Sequence, residues 1–430
     1  MLLLHISDIH FREPDCLHPD TDPERAYRRL LVQHVRQQVA SLGPVGAILV
    51  GGDIAFKGDP SEYSAALAWL RELAGQSGCL MERVYVVPGN HDVDRRIIGN
   101  IPSVRNAQRA IAQAESNIRE RELRTQFNDP ETGRSLLLPL AAYNEFAKLF
   151  SCQVYSPDHL YWKQDVPIDG DVNLRIYGLT SVLLSGQNGH DDSPQNLYLS
   201  PLQTVLEPED DVLNLVLVHH PPDWLMDGDS ADDAFCGRAA LHLFGHKHRQ
   251  RITQEQNYVR FSAGAVNPDR NEPGWCPGYN LVELSVQGAG ADRLVEVRSH
   301  LMQWQTNPDT FRPIKTRQNT DVFVSRLPIP SHVVIPKSND AAPLQEPSIS
   351  TMATTDVEVA MSDEPTRNLV FRFWGLTMSD RRAIAQKLNL LEAAEWGLPE
   401  PERYGRALLR AVERNLLSEL TQEVASREKH

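Results

Sequence analysis

The sequence predicts an α/β protein followed by a small all-helical unit. Three observations carry this expectation. Short, solidly apolar runs alternate with amphipathic helical stretches through the first third, the pattern of parallel strands buried on both faces. Closely spaced apolar runs return after the middle of the chain. A stretch rich in Pro, Ser, Thr and Ala then precedes a last segment, Leu369 to Val424, with strong helical periodicity.

The elements follow in order. Leu2 to Ile6, Ala47 to Val50 and Val84 to Val87 read as strands. Between the first two, Tyr27, Leu30, Leu31, Val35, Val39 and Leu42 mark one side of a helix that Asp22 and Pro23 open and Gly43-Pro44 end. A second helix follows Asp59-Pro60, with Tyr63, Ala66, Leu67, Leu70 and Leu73 at helical spacing. From about Gly99 to Phe150 the chain turns polar and helical, clearest in IAQAESNIRERELRTQF, and reads as an inserted helical cap. Strands resume at Leu174 to Tyr177, Leu213 to Val218, Leu241 to Phe244, Val259 to Ala263, Tyr279 to Leu284 and Leu294 to Val297. The close spacing of the later ones points to antiparallel hairpins in a second sheet. Three regions are therefore expected: a catalytic unit over 1–305 with the insertion at 99–150, an extended tail and flexible linker over 306–366, and a helical unit over 367–430.

Composition narrows the function. The 430 residues carry 57 Asp and Glu against 43 Lys and Arg, a net charge of −14. This argues against coating nucleic acid through a basic surface, though not against metal chemistry at a phosphate ester, where bound cations set the local field. No apolar run approaches the ~18–20 residues of a membrane span. The opening MLLLHISDIH lacks a basic flank and a cleavage site, so no signal peptide is expected. Cys16, Cys79, Cys152, Cys236 and Cys276 are odd in number and scattered, without a CxxC pair, which fits reduced thiols in the cytoplasm.

Five short motifs fall at the C-terminal ends of predicted strands. Asp8-Ile9-His10 follows the first; residues two apart on an extended chain face the same way, so both can reach one ion. Gly51-Gly52-Asp53 follows the second, Gly89-Asn90-His91-Asp92 the third, His219-His220-Pro221-Pro222 the run ending at Val218, and Gly245-His246-Lys247-His248 the run ending at Phe244. Singly, each is commonplace: a lone Gly-Asp is a turn and a lone Asn-His-Asp a helix cap. Together they place ligand-type side chains where open α/β sheets build their sites. Imidazole, carboxylate and amide donors suit manganese, iron, zinc or nickel better than an all-oxygen site would.

In this order, DxH, GD, GNHD, HH and GHxH resemble the calcineurin-like metallophosphoesterase superfamily over about residues 1–300. The resemblance implies a four-layer αββα sandwich with a two-metal site at one sheet edge. It implies that Asp8, His10 and His248 hold one divalent ion, that Asn90, His219 and His246 hold the other, and that Asp53 bridges them. Two such ions, manganese first, can clamp a phosphoryl group and activate a bridging water, which would attack in line. His91 resembles the family's histidine that contacts phosphate and protonates the leaving oxygen, and Asp92 is expected to fix its tautomer. His220 is left a substrate contact beside ligand His219, with the reverse assignment as the alternative. Arg12 is a candidate phosphate contact or else plain surface. His5 and His242 read as buried histidines, and Lys247 points away from its two histidine neighbours.

Departures from subfamily patterns bear on the substrate. The superfamily's serine/threonine protein phosphatases carry GDxVDRG and RGNHE, whereas this chain has GDIAFKG (Gly52 to Gly58) and PGNHD. GDxxxxG followed by Glu62-Tyr63, with GNHD and HHPP, looks more like the cyclic-nucleotide phosphodiesterase branch, which merges with repair nucleases. The expected activity is hydrolysis of nucleotide phosphodiester bonds, in nucleic acid first, with cyclic nucleotides as the alternative. Phosphomonoesters or phosphoproteins rank below these, and a scaffold with a vestigial site ranks last, since all seven ligand positions hold competent residues. A nuclease should show a basic track beside Asp53 and the inserted helices; a cyclic-nucleotide enzyme should show a closed pocket.

In the last unit, Leu376, Ile384, Leu388, Leu390, Leu391, Leu408, Leu409, Val412, Leu416, Leu417 and Leu420 would form a compact core. It is similar to the small helical adaptors appended to effectors of prokaryotic conflict systems, which join an effector to a sensor, often a P-loop NTPase. That implies a protein partner and a nuclease-type effector role in bacterial antiviral defence. A generic bundle supporting homo-oligomers is the other reading.

Overall fold

The computed structural model describes residues 1–154, 159–267 and 276–330, with most of 369–427. The chain divides into two compact units, Met1–Ile335 and Pro336–His430. The strands of the first are β1 (Leu2–Ile6), β2 (Val45–Val50), β3 (Val84–Val86), β4 (Tyr161–Asp169), β5 (Val172–Leu179), β6 (Val212–Val218), β7 (Leu241–Phe244), β8 (Arg251–Gln254), β9 (Val259–Ser262), β10 (Gly278–Gln287), β11 (Leu294–Gln305), β12 (Thr310–Pro313) and β13 (Phe323–Pro328). Its helices are α1 (Arg25–Leu42), α2 (Pro60–Ser77), α3 (Arg95–Asn100), α4 (Pro102–Gln113), α5 (Ser116–Asn128), α6 (Pro130–Leu137), α7 (Ala141–Ala147) and α8 (Gly228–Arg238).

One sheet runs β12-β11-β10-β1-β2-β3, with β13 also paired to β11; the other runs β4-β5-β6-β7-β9-β8. β1, β2 and β3 are parallel, as are β5, β6, β7 and β9. Every residue of β1 and of β6 is buried, which requires cover on both faces. On the first sheet Tyr27 and His34 of α1 meet Trp304 and Phe311. On the second, Phe235 of α8 meets Phe244. Between the sheets, Tyr85 of β3 stacks on Trp162 of β4 at 5.7 Å, and one apolar core runs through all four layers. Asp59 caps α2 by accepting from Ser61 N–H, Glu62 reaches back to Asp59 N–H, and Pro60 starts the first turn.

Three expectations need correction. The β10–β11 hairpin belongs to the first sheet, because the central β1 has a second edge to satisfy, and Asn280 to Glu283 fill it antiparallel. Most of the second sheet is parallel; among the late strands only β8 pairs there as an antiparallel hairpin, with β9. The tail expected over 306–366 begins as ordered sheet: β12 and β13 cover the outer edge of β11, and Leu327 and Ile329 are buried. The rest of that linker, 331–366, lies outside the described residues.

The second unit contains α9 (Met378–Lys387), α10 (Glu400–Glu413) and α11 (Leu417–Arg427). Ile384, Leu390, Leu408 and Leu420 are buried with Phe373, Tyr404 and Val424. Leu409 is 42% exposed, contrary to its core assignment, because Tyr404, Ala407, Leu408 and Ala411 already define the buried face of α10. Among the described residues no helix is long and apolar enough to cross a membrane.

Candidate metal centre

The five motifs follow strands whose C-terminal ends meet at one edge: Asp8 and His10 after β1, Asp53 after β2, Asn90 and His91 after β3, His219 and His220 after β6, His246 and His248 after β7. The first two loops are zipped together. Backbone N–H groups of Asp8, Ile9 and His10 donate to the carbonyls of Gly52 and Asp53, and Phe11 donates to Ile54. Asp8, His10, Asp53, His246 and His248 all sit at φ between 49° and 66°. Side-chain-bearing residues avoid this left-handed region at roughly 1–3 kcal/mol each, and such strain concentrates at functional sites. Close approach explains two glycines: a Cβ at Gly89 would lie 2.1 Å from Asp53 Oδ1, and one at Gly52, φ 94°, would lie 2.7 Å from His219 Nδ1.

Asp53 stands in the middle. Its Oδ2 is 3.4 Å from His219 Nε2 and 3.9 Å from His10 Nε2, while Oδ1 accepts from His91 N–H at 2.8 Å. On one side Asp8, His10 and His248 converge, their donor atoms within 4.8 Å of one another. On the other, Asn90 Oδ1 lies 3.1 Å from both His219 Nε2 and His246 Nδ1. His219 Nδ1 donates to the Gly51 carbonyl at 2.8 Å, which in the neutral ring turns the Nε2 lone pair toward the Asn90 and Asp53 oxygens. Lone pairs facing lone pairs at this spacing are a seat for a cation.

Charge agrees with that arrangement. Burial by itself would raise Asp8 and Asp53, but His248 beside the first and His219 beside the second outweigh it and hold both carboxyls below the usual carboxylate range. Burial lowers His10 and His246 to about 3 each, leaving both rings neutral and able to ligate. His219 differs. Burial pulls it down, yet Asp53 and Asp8 prevail and raise it to about 9, so without metal His219 itself carries a proton at neutral pH.

The remaining expected site residues part ways. His91 lies at the rim; its Nδ1 donates to the Phe56 carbonyl at 2.9 Å, and its ring stacks on Phe56 at 4.9 Å. Asp92 does not fix that tautomer. In the turn over 90–92 it points inward, where its carboxylate accepts from Gly89, Ile54 and Ala55 N–H and from the Tyr63 hydroxyl. His220 is fully buried and does not line the cleft; its Nδ1 lies 2.8 Å from Ser181 Oγ, and its ring groups with His219 and His246, their donor atoms within 4.8 Å of one another. Arg12 is exposed and lies over the Phe56 ring. His5 is buried against Asn280, and His242 is buried with Nε2 on the Phe235 and Ala239 carbonyls. Lys247 pairs with Asp223, away from the donors. Three contributors were not read from sequence: Phe56, Glu62 as a loop clamp, and Ser181. The GDxxxxG…EY segment contained the first two, but nothing in it tells which way they face.

Comparison with known proteins agrees with the geometry. A family model described as calcineurin-like phosphoesterase matches residues 1–250. The chain belongs to the calcineurin-like phosphoesterase family. A second model, the GTPase-associated adaptor domain, matches residues 365–426 and gives the last unit a protein-interaction role. Among solved structures, Vps29 of Chaetomium thermophilum aligns at 15% identity and TM-score 0.28, over 76% of this chain and 99% of that one. Vps29 of Entamoeba histolytica complexed with zinc aligns at 10% identity and TM-score 0.29, over 76% and 99%. GAP50, the inner-membrane-complex anchor of Plasmodium, aligns at 11% identity and TM-score 0.32, over 77% and 89%. No curated protein matches in sequence. As a member of a phosphoesterase family that normally binds divalent metals, the chain has clustered Asp and His donors that fit such ions.

Proposed function

We propose that this phosphoesterase is a two-metal phosphodiesterase that hydrolyses nucleotide phosphodiester bonds, cutting nucleic-acid strands in the cytoplasm. The observation that carries the reading is the cluster of seven candidate donors, six of them around Asp53, opening onto a cleft of about 770 Å³ lined from both sheets and by α3. Asp8, His10 and His248 would hold one ion, Asn90, His219 and His246 the second, and Asp53 would serve both, with manganese the first candidate. When bound, such ions would supply Lewis acidity at the phosphate and lower the pKa of water beside it. The protein's own groups do the rest. The Phe56 carbonyl keeps the His91 Nδ1 proton in place; with a second proton on Nε2, the imidazolium would contact phosphate and pass that second proton to the leaving oxygen. Arg12, Lys57, Arg95 and Arg96 edge the cleft, a cationic rim suited to a polyanionic strand. The adaptor brings the enzyme to a partner, an NTPase-type sensor, in a defence role.

One observation favours a second reading, a cyclic nucleotide as substrate. Arg95 is paired with Asp191 and Arg96 with Asp94 and Asp59, while Asp15, Asp22 and Asp192 also line the cleft, so its balance is not strongly basic. The test is manganese-dependent hydrolysis of linear DNA, single-stranded RNA, 2′,3′- and 3′,5′-cyclic nucleotides and bis-p-nitrophenyl phosphate, beside Asp53→Ala and His91→Ala. Strand cleavage lost in both variants is the expected result. Turnover of cyclic nucleotides alone selects the second reading, and silence on every diester with metal bound rejects both.

A further inference from the structure

We propose that Arg12 is a platform for a nucleobase, not a ligand of the scissile phosphate: its guanidinium, backed by Phe56, stacks the base of a nucleotide flanking the bond to be cut. The inference rests on the nucleotide reading above and names the part of the substrate held at this rim.

The placement starts in the backbone. Phe11 and Ala55 form a parallel bridge, with Phe11 N–H on the Ile54 carbonyl and Phe56 N–H on the Phe11 carbonyl. Arg12 and Phe56 each follow one residue beyond it and leave the two loops side by side. The fully buried Glu62 locks both loops, accepting N–H bonds from Glu13 at 3.1 Å and from Phe56 and Lys57 at 3.1 and 2.9 Å.

The side chains then form a column. Arg12 Cζ lies 3.7 Å from the centre of the Phe56 ring. The Phe56 ring stacks on His91 at 4.9 Å and 26°. The column is rooted at the metal donors, since His91 N–H is bonded to Asp53 Oδ1. Arg12 is exposed and lines the cleft, so the planar surface left open is the guanidinium face away from Phe56. Cζ at 3.7 Å from the ring centre is a stacking distance, since a guanidinium turned edge-on would press its nitrogens inside van der Waals contact with the ring. A guanidinium that recognises phosphate presents its N–H edge in a fork; one stacked on a ring presents a face, and the partner of a face is another π system. Single-stranded bases stack on such planes. Arg12 also differs from Arg28, Arg95 and Arg96 in the same cleft, each of which is tied to a carboxylate; no ion pair engages Arg12 among the described residues.

The experiment uses the full-length protein with manganese and a strand containing one preferred cleavage site, intact or with a single abasic residue at each flanking position in turn. If cyclic nucleotides are the substrate, the base-free ribose cyclic phosphate takes the abasic strand's place. For the wild type, removing the base at one position should lower kcat/KM about tenfold to a hundredfold, the range base–aromatic stacking supports. Arg12→Lys keeps the charge and loses the plane. It should cleave the intact substrate at the slower base-free rate and no longer respond to base removal, with manganese affinity unchanged. Wild-type cleavage indifferent to base removal at every position overturns the platform, as does an Arg12→Lys enzyme that keeps the penalty. A wild type that turns over no nucleotide diester overturns the nucleotide reading itself, so the two failures are distinguishable.

Discussion

His219 is the ligand candidate whose protonation opposes metal entry. Its pKa is raised to about 9, so in the metal-free protein it holds a proton at neutral pH that an incoming cation must displace. Metal affinity should therefore climb with pH, by up to about tenfold per unit, and level off near pH 9. Calorimetric titration with manganese in buffers of different ionisation heat should report about one proton released from this group at pH 7; an affinity independent of pH would contradict the assignment. Asp53→Asn should abolish tight metal binding and lower diester hydrolysis by roughly a thousandfold or more, because the amide replaces the one charge shared by both donor groups. Asp92→Asn makes a different prediction. Its carboxylate accepts three backbone N–H groups and a phenol in a fully buried site, and an amide NH₂ can satisfy only some of them. A loss of about 2–4 kcal/mol is expected, read as a lower melting temperature with residual activity in the molecules still folded.

At the scale of elements, the sequence revealed strands in proportion to how completely they are buried. β1, β6 and β7 are apolar at nearly every position and were located almost to the residue. β8 is exposed at three of its four positions, and β13 buries only Leu327, so neither carries a period to find. β4 alternates as a half-buried strand should, but Pro167 and its charged outward positions disguise it. The convergence of the candidate donors was legible because each motif marks the end of a buried strand. The inward turn of Asp92 and the burial of His220 were not, since both depend on loops from distant segments closing over them. The missed strands have a consequence. A chain ended at residue 305 leaves the edge of β11 uncovered and removes Phe311 and Leu327 from the core, whereas one ended at 335 keeps them. The shorter form should aggregate or melt at lower temperature; the longer should unfold cooperatively by circular dichroism.

Across the whole molecule, all the donors around Asp53 and the cleft residues lie within the unit ending at Ile335. The 1–335 form should thus retain metal binding and hydrolysis of bis-p-nitrophenyl phosphate within about twofold of the full chain, since domains with their own core fold and act alone. A large loss would assign the adaptor a part in catalysis beyond recruitment. The donors also divide by sheet. Asp8, His10, Asp53 and Asn90 ride on loops of the first, His219, His246 and His248 on loops of the second. A metal ion bound among them is a bolt through the seam between two halves of the sandwich, and it has nothing to fasten until both halves have formed and met. Its contribution should then fall on escape from the folded state, not on arrival there: a chelator would shorten the lifetime of the fold while leaving the rate of refolding almost untouched.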